Sequence, residues 1–580
     1  MTDLYDLATL AASLQEAAAE VAGAGVDGVE LDLPPRPELG DVSSNAALVS
    51  ARAARRAPRD LAGEIGARWM EQGGAGVCER YEVAGPGFLN LFLSPSWYLG
   101  AVRRMLDLGA AYGGGVLPEA ERRKVNIEFV SVNPTGPLHV GHARYASYGD
   151  ALCRIFAFAG HDVTREFYVN DYGTQMLRFG QSLAVRYGQR LGIDIALPED
   201  AYEGAYVLEF ADKLIAQVGD RYRDAIAAAA PDVERVPDDV IQEIKIWGRD
   251  HVLAQFRETL ERLRVPFDVW TSEATLYDDR PTADAHHRGF GGEVGKALAE
   301  MDGEGLLFDE EDAVWLRTTQ YGDDKDRVLI RGTGAPTYFL SDIAYHRDKM
   351  DRGFQHMIDI WGADHHGYVP RMKAAFTALP PHDPDRLELI IGQLVNLTES
   401  GEAKRMSKRK GDIVTVDDLM DDIGVDAARF FLVGRSHDST LELDLDLAAE
   451  ESSNNPVYYV QYAHARICSI LRNVPEERVA AVGSGAGLTV DEVEPAEREL
   501  VKALTRFPLV VLDSTRRRSP HRLHAYLGEL AAQFHAFYRV CRVLVDEEEV
   551  ALFRTALCVA TRQTLASGLG LLGVSAPETM

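Results

Sequence analysis

The segment from residue 125 to residue 142 reads VNIEFVSVNPTGPLHVGH. Its first six residues are mostly apolar, which predicts a short buried strand at 125–130. Proline and glycine at 134–137 predict a turn after that strand. Apolar residues then recur at helical spacing from Val140 to Phe156, and Gly160 marks the end of the helix. A strand that leads through a turn into a helix is typical of the first unit of a nucleotide-binding α/β sheet.

Strand-like runs further along the chain extend this sheet. The run from Val163 to Val169 predicts the second strand, and similar runs return at 328–330, 357–361 and 387–397. Between them, residues 181–263 show mainly helical patterns. We therefore expect a Rossmann-like parallel sheet that a helical insertion interrupts and that resumes after the insertion.

The two ends of the chain differ in pattern from its centre. Leucines at helical spacing open the first hundred residues and alternating runs near Tyr81 and Phe88 close them, which predicts an α+β domain. From Ser452 onward the pattern is almost entirely helical. The chain is thus expected to be a multidomain α/β protein, with an N-terminal α+β domain at 1–115, a Rossmann-like catalytic domain at 116–400 that includes a helical insertion at roughly 181–263, connecting helices at 401–451 and a C-terminal all-α bundle at 452–580.

Size and charge limit the classes of protein that remain. At 580 residues the chain is too long for a single hydrophobic core. Its formal net charge of −29 argues against a nucleic-acid partner, because phosphate binding depends on clustered lysine and arginine. Net charge governs solubility and long-range steering, however, and a local basic surface is enough for binding. The basic run at 404–410 is one candidate, and a solvated basic face is its alternative explanation.

The sequence gives no indication of export or of a disulfide framework. The N-terminus lacks a basic leader followed by an apolar run, and no apolar stretch is long enough to span a bilayer. We therefore expect a cytoplasmic protein without membrane contact. The five cysteines are far apart and form no Cys-x-x-Cys pair, so we expect buried thiols and no zinc site.

Two histidines three residues apart stand where the predicted strand passes into its helix. His139 and His142 can hydrogen-bond a polyphosphate at this helix N-terminus, where the helix dipole favours negative charge. Gly141 between them lets a nucleotide approach the backbone. A metal site is one alternative, although no third ligand follows at a recognisable spacing. A structural pair of histidines at a helix start is the other.

A basic segment far downstream supplies the second motif, Arg405-Met406-Ser407-Lys408-Arg409. Lysines on a loop can follow the negative charge that develops on the α-phosphate and pyrophosphate of ATP during nucleophilic attack. In isolation, a basic loop of this kind is usually a solvent-exposed surface loop without a binding role. Its pairing with the histidine segment favours the functional interpretation.

Together the two segments resemble the HIGH and KMSKS signatures of class I aminoacyl-tRNA synthetases. Valine replaces isoleucine in the first signature, and arginine replaces the first lysine and the final serine of the second. The resemblance implies that His139, His142 and Lys408 are catalytic. It also implies ATP as a substrate together with Mg²⁺. The positions that would contact ATP are His139, Gly141, His142, Met406 and Lys408.

Three further segments resemble the arginyl-tRNA synthetases, at 126–141, 334–346 and 360–368. By that resemblance, Glu128 and Asn133 hold the α-amino and carboxylate ends of arginine. The remaining positions that would contact arginine are His139, Tyr338, Asp342 and Asp364. If 338–342 is helical, Tyr338 and Asp342 share one face and suit a planar guanidinium group. A hydrogen bond between these two side chains on the helix surface is the alternative.

The ends of the chain extend the resemblance. Residues 40–45 and 84–90 resemble the family's additional tRNA-contacting domain, and residues 455–466 and 571–580 resemble its helical anticodon-binding domain. The resemblance implies an ATP-dependent ligase, monomeric and with L-arginine and tRNA(Arg) as partners, that activates arginine only when tRNA is bound. Two alternatives stay open: an adenylate-forming enzyme of the same superfamily that uses no tRNA, and an RNA-binding protein without activity.

Overall fold

The computed structural model describes residues 4–34, 36–277, 287–403, 414–483 and 488–580. The chain divides into two compact units, of which the first combines Met1–Val116 with Glu451–Met580 and the second is Leu117–Glu450. Both ends of the chain therefore belong to one unit.

The N-terminal part of the first unit is an antiparallel four-stranded sheet with helices. Its sheet order is β1-β2-β4-β3. Leu7, Leu10 and Leu14 are buried on the first helix, as their spacing predicts, and Asp6 caps that helix by accepting a hydrogen bond from the Thr9 amide. The elements are α1 (Leu7–Ala22), β1 (Leu31–Asp32), β2 (Val42–Ser44), α2 (Ala46–Ala54), α3 (Pro58–Glu71), β3 (Cys78–Ala84), β4 (Phe88–Leu93) and α4 (Pro95–Leu108).

The second unit is built on a five-stranded parallel sheet with the order β12-β11-β5-β6-β7. Its central strands β5 and β11 are buried along most of their length, which explains why they read as continuous apolar runs. The expected parallel sheet is confirmed. Its strands are β5 (Lys124–Glu128), β6 (Asp162–Val169), β7 (Val269–Ser272), β11 (His356–Gly362) and β12 (Leu387–Gly392).

Two small sheets accompany it. One is antiparallel with the order β10-β9-β8, and the other has the order β14-β13-β15. Their strands are β8 (Leu307–Glu310), β9 (Ala313–Leu316), β10 (Arg327–Ile330), β13 (Val395–Glu399), β14 (Glu402–Ala403) and β15 (Leu441–Asp444).

The sequence assigned three strand details wrongly. The run at 328–330 was expected in the parallel sheet, but it forms β10 and pairs antiparallel with β9. The run at 387–397 is two strands in two different sheets, broken at Gln393 and Leu394. The first strand ends at Glu128 and not at Val130, because Val130 has a φ of 70°, which a strand cannot contain.

Helices cover the parallel sheet and fill the connection between β6 and β7. The helix α5 follows the first strand, as expected, and α6 to α9 lie between β6 and β7. The helices are α5 (Val140–Ala159), α6 (Thr174–Arg190), α7 (Ala205–Val218), α8 (Arg223–Ala229), α9 (Asp238–Arg262), α10 (Gly292–Gly303), α11 (Tyr338–Asp351), α12 (Val369–Ala378), α13 (Val416–Ile423), α14 (Val425–Leu432) and α15 (Leu445–Ala449).

The C-terminal part of the first unit is helical, as predicted. It joins the N-terminal part through a hydrogen bond from the Tyr112 hydroxyl to the Leu504 carbonyl and an ion pair between Lys502 and Asp41. Among the described residues, no helix is both long and apolar enough to cross a membrane. The helices are α16 (Pro456–Arg472), α17 (Glu476–Gly483), α18 (Pro495–Thr505), α19 (Phe507–Arg516), α20 (Pro520–Val540) and α21 (Glu548–Leu571).

Candidate active site

The candidate site lies at the carboxyl ends of the parallel strands, where α/β sheets bind their ligands. Glu128 is the last residue of β5, and Glu273 directly follows β7. The helices α5 and α11 begin at the same edge of the sheet, because helices in such folds run antiparallel to the strands. Polar side chains from four elements therefore converge on one edge.

The two histidines of the first motif meet at the start of α5. His139 is the N-cap of this helix, and its backbone amide donates to Nδ1 of His142 over 3.2 Å. The two imidazole rings stack with their centroids 3.5 Å apart. A Cβ atom at Gly141 would lie 3.0 Å from the His139 ring, so glycine leaves room for this stack.

The chain that follows the second motif returns to the first. The Val140 amide donates to the Val414 carbonyl over 3.2 Å, and the Val416 amide donates to the Leu138 carbonyl over 2.9 Å. These bonds place residue 414 against the start of α5. Met406 and Lys408 themselves lie outside the described residues.

Arg144, one half-turn beyond His142, anchors α5 to two loops. Its buried guanidinium group donates to four backbone carbonyls at distances of 2.8 to 3.2 Å. Two of these carbonyls connect β12 to β13, and the other two precede β15. The motif helix is thereby fixed to the strands on both sides of the basic segment. The carbonyls belong to Gln393, Leu394, Ser436 and Ser439.

Tyr338 and Asp342, which were predicted to bind the arginine side chain, lie at the start of α11. Tyr338 is the first residue of this helix and is 53% exposed. Asp342 lies one turn later and accepts a hydrogen bond of 2.6 Å from the Tyr368 hydroxyl. Burial raises the pKa of Asp342 above its usual value, although Tyr368 opposes this shift. The partner of Asp342 is thus Tyr368, a residue that the sequence did not single out.

Asn133 and Asp364 occupy turns. Asn133 is half-buried in the turn after β5, where its carbonyl accepts from the Thr135 amide. Asp364 lies in the short 3₁₀ turn at 363–368, where its side chain is 81% exposed and pairs with His365. The same turn carries Tyr368, so the turn reaches Asp342 through the tyrosine.

Glu128 lies in a buried ionic cluster that the sequence did not reveal. Its Oε2 accepts a hydrogen bond of 2.6 Å from Nζ of Lys349, which also donates to Asp359 over 2.9 Å. Asp342, His346 and Lys349 are spaced by four and three residues, so they share one face of α11. That spacing is the sequence feature that could have identified Lys349, although Asp348-Lys349 reads in isolation as surface charge.

Glu273 is the second residue that the sequence reasoning missed. It is buried, and one carboxyl oxygen accepts from the Ser341 hydroxyl over 2.9 Å. Its Oε2 has no hydrogen-bond partner among the described residues, and neither has the nearby Tyr168 hydroxyl. Burial raises the pKa of Glu273 to about 8, and Asp342 contributes to this rise. A buried oxygen without a partner indicates a place for a ligand group that donates hydrogen bonds.

Taken together, the site combines several buried carboxyl groups with a helix N-terminus. Carboxyl groups favour a cationic ligand, whereas the start of α5 favours a phosphate. No group of three or more His, Cys, Asp or Glu side chains within the described part of the chain could hold a metal ion.

Three family models match separate parts of the chain. "Arginyl tRNA synthetase N terminal domain" matches residues 8–93, "tRNA synthetases class I (R), catalytic domain" matches residues 112–190, and "DALR anticodon binding domain" matches residues 460–580.

Whole-length relatives agree with these matches. The arginine–tRNA ligase of Syntrophotalea carbinolica is 44% identical over 556 residues, which cover 95% of each chain. The arginine–tRNA ligase of Desulfitobacterium hafniense is 43% identical over 99% of this chain and 98% of the relative. The chain belongs to the arginyl-tRNA synthetase family.

Solved structures place this arginyl-tRNA synthetase fold in context. A putative arginyl-tRNA synthetase from Campylobacter jejuni has a TM-score of 0.72 at 30% identity, covering 84% of this chain and 100% of the other. The arginyl-tRNA synthetase of Thermus thermophilus has a TM-score of 0.73 at 23% identity over 99% and 100% of the two chains, and therefore shares the fold.

Proposed function

We propose that this arginyl-tRNA synthetase is an arginine–tRNA ligase. It joins L-arginine to ATP as arginyl-adenylate and transfers the arginyl group to the 3′ end of tRNA(Arg). One observation supports this most directly: buried carboxyl groups, including the incompletely paired Glu273, lie at the same sheet edge as the stacked histidines that begin α5. A cationic amino acid and a nucleotide phosphate are the ligands that this pair of environments favours.

The guanidinium group binds at Asp342 and Glu273 in this proposal. A guanidinium ion has five N–H donors in one plane, so two carboxylates can satisfy it from different sides. Tyr368 holds the Asp342 carboxylate in place, and the exposed Tyr338 lies one turn before Asp342 on α11. Arginine would supply the hydrogen bonds that the buried Oε2 of Glu273 lacks.

The backbone end of arginine binds near Glu128, Asn133 and His139. A carboxylate attracts the α-ammonium group, and an amide can orient the α-carboxylate. Asp364, on the exposed turn beside Tyr368, contributes a further polar contact.

ATP binds against the start of α5. His139, Gly141 and His142 present their polar groups and the helix dipole to its phosphates. Met406 and Lys408 join them, since residue 414 just beyond their segment is hydrogen-bonded to Val140. Mg²⁺ enters with ATP, because phosphate oxygens are among its preferred ligands.

The two reaction steps need no protein nucleophile. In the first, the arginine carboxylate attacks the α-phosphate, the bond to the β-phosphate oxygen breaks, and pyrophosphate leaves. In the second, a terminal ribose hydroxyl of tRNA attacks the arginyl carbonyl, and AMP leaves. The protein positions the reactants and stabilises negative charge with His139, His142 and Lys408.

A surface pocket in the helical C-terminal part is suited to an unstacked RNA base. A cavity of about 370 Å³ is lined by Tyr462, Arg466, Tyr538, Thr579 and Met580, and the Arg466 guanidinium lies over both tyrosine rings, at 4.5 and 5.5 Å from their centroids. Single-stranded RNA is recognised by aromatic stacking and by arginine planes of this kind.

Core packing accounts for the neighbouring aromatic residues. Phe534 and Phe537 are buried, whereas Tyr538 is 40% exposed and lines the pocket. We assign this region to the anticodon, the N-terminal part at 1–115 to another part of the tRNA, and the whole protein to the cytoplasm as a monomer.

Amino-acid-dependent exchange of pyrophosphate into ATP tests the proposal. Each of the twenty amino acids is assayed with and without total tRNA. Exchange with arginine alone, and only with tRNA present, is the expected result. Exchange with a different amino acid would contradict the substrate, exchange with arginine in the absence of tRNA would contradict the proposed tRNA dependence, and no exchange under any condition would contradict an enzymatic role.

A further inference from the structure

A chain of four buried charged side chains lies beside the proposed amino-acid site. It runs from Glu128 through Lys349 and Asp359 to His346, with contacts of 2.6, 2.9 and 2.6 Å. We call these residues the buried charge chain. The side chain of Lys349 is fully buried, and it is the member that joins the two carboxylates.

Hydrogen bonding defines the charge of its last member. Nδ1 of His346 is 2.7 Å from the Asp342 carbonyl, which can only accept, so Nδ1 carries a proton. Nε2 faces the Asp359 carboxylate, and an ionised carboxylate also accepts. His346 is therefore an imidazolium, in agreement with a raised pKa, because Asp359 outweighs the lowering by burial. Two cations then balance two carboxylates.

Lys349 controls the ionisation of Glu128. Burial raises the pKa of Glu128, and Lys349 is the strongest influence that opposes this rise. Burial alone would lower the pKa of Lys349, but Asp359 and Glu128 raise it, so Lys349 stays charged. Without the ammonium group, the pKa of Glu128 would rise further, and a protonated carboxyl has little attraction for a cation.

We propose that Lys349 is a positioning residue for arginine activation, which holds the Glu128 carboxylate ionised and oriented toward the α-ammonium group of bound arginine. This rests on the arginine–tRNA ligase function proposed above. Lys349 touches no substrate itself. It connects α11, which carries Asp342, to β5, which carries Glu128, so both ends of the arginine site depend on it.

The test compares arginine with 5-guanidinopentanoic acid, which is arginine without its α-amino group. Binding of both is measured with the full-length protein and tRNA, by exchange for arginine and by inhibition of exchange for the analogue. Lys349→Met is expected to weaken arginine about thirtyfold or more, the usual effect of removing one member of a buried charge pair. The affinity for the analogue is expected to change less than about threefold.

Two further variants identify the path of the effect. Glu128→Gln should reproduce the ligand profile of Lys349→Met, because both leave a neutral group at residue 128. The double variant should be no worse than either single variant, since both act on one contact. Arg352→Gln is the matched control: it removes another cation of the same helix region, one that pairs with Glu166 over 2.9 Å, and should not distinguish the two ligands.

Equal losses of affinity for arginine and for the analogue in Lys349→Met would overturn the proposal. So would a loss of arginine affinity in the double variant that equals the product of the two single-variant losses. If Lys349→Met does not fold, the double variant replaces it, because removing both members of a buried pair is far less disruptive than removing one. Weaker analogue binding in the double variant than in Glu128→Gln would then overturn it. An unaltered protein without arginine-dependent exchange would instead contradict the proposed function.

Discussion

Glu273 is a buried carboxyl group at the edge of the parallel sheet that carries the candidate site. Its carboxyl group follows β7, bonds to Ser341, and keeps one oxygen without a partner among the described residues. Burial raises its pKa to about 8, so it is mostly protonated in the free enzyme at pH 7. A guanidinium ion favours the ionised form, so binding and proton release are linked.

The affinity for arginine should therefore depend on pH. Below about pH 8, binding requires Glu273 to lose a proton, so the KM for arginine should rise toward tenfold for each unit of falling pH. The measurement is exchange between pH 6.5 and 9. Glu273→Gln should raise the KM and remove this slope. A slope that persists in that variant would assign the proton to a neighbouring group such as Asp342, whose pKa is also raised by burial.

Gly141 allows a second prediction at the residue scale. A Cβ atom there would lie 3.0 to 3.1 Å from the His139 ring, which is tighter than an ordinary contact and would displace the ring. Gly141→Ala should raise the KM for ATP about tenfold or more, because the phosphate contacts move. The control is Gly528→Ala on α20, where a Cβ meets nothing within 4 Å. That change should leave the KM for ATP and the KM for arginine unchanged and stabilise its helix by about 1 kcal/mol. An unchanged KM for ATP in Gly141→Ala would contradict the proposed ATP site.

At the scale of elements, α5 contacts the segments of chain that lie on both sides of the second motif. Arg144 binds the loops beside β13 and β15, and Arg429 on α14 is a fully buried cation that pairs with Asp150 on α5. Val140 is bonded to residue 414. The helix that begins the proposed nucleotide site thus also fixes both ends of the region that carries the second motif.

Arg144→Lys should loosen that region. An ammonium group cannot match the four carbonyls of the planar guanidinium, and each buried carbonyl left without a donor costs about 1–3 kcal/mol. Hydrogen exchange at residues 393–397 and 436–441 should accelerate by the corresponding factor, and kcat should fall. Arg154→Lys on the same helix is the control, because lysine keeps a cation beside Asp150, which Arg165 and Arg429 also contact. Unchanged exchange in Arg144→Lys would disprove the anchoring role.

The sequence was most informative where a motif and a periodic pattern coincided. The strand, turn and helix around 125–159 were predicted from adjacent residues, because the burial of each depends on its neighbours. The run at 328–330 was misassigned, since a short apolar run carries no information about its partner strand. Lys349 and Glu273 were missed because they reach the site from 221 and 68 residues away from their partners, Glu128 and Ser341. Such contacts exist only in the folded chain.

At the scale of the whole molecule, the chain is strongly acidic although its partner is an RNA. Local surfaces are enough to bind RNA on such a protein. The pocket of Tyr462, Arg466 and Tyr538 needs one cation and two aromatic rings, and neither depends on the net charge of −29. Acidic surfaces elsewhere would oppose loosely bound RNA. We therefore expect discrimination between tRNAs to rest on a few contacts of this type.

Tyr538→Ala should accordingly weaken tRNA binding without altering arginine recognition. Loss of one stacking surface corresponds to about 1–3 kcal/mol, so the KM for tRNA(Arg) should rise about fivefold to a hundredfold. Aminoacylation kinetics at saturating arginine and ATP provide the measurement. Arg539→Ala, the adjacent residue on α20, is the control and should have a smaller effect. Equal effects from both variants would contradict a base-binding role for the pocket.

The first unit combines two parts of the chain that are synthesised at different times. Tyr112 bonds to Leu504, which is 392 residues later in the chain. A ribosome that adds about 5–20 residues per second completes that distance in about 20–80 s. During this interval the catalytic unit is finished, while the N-terminal part has left the ribosome and still exposes the face of α4 that later covers α18 and α21. The N-terminal part, although it is made first, is thus among the last to reach its final neighbours.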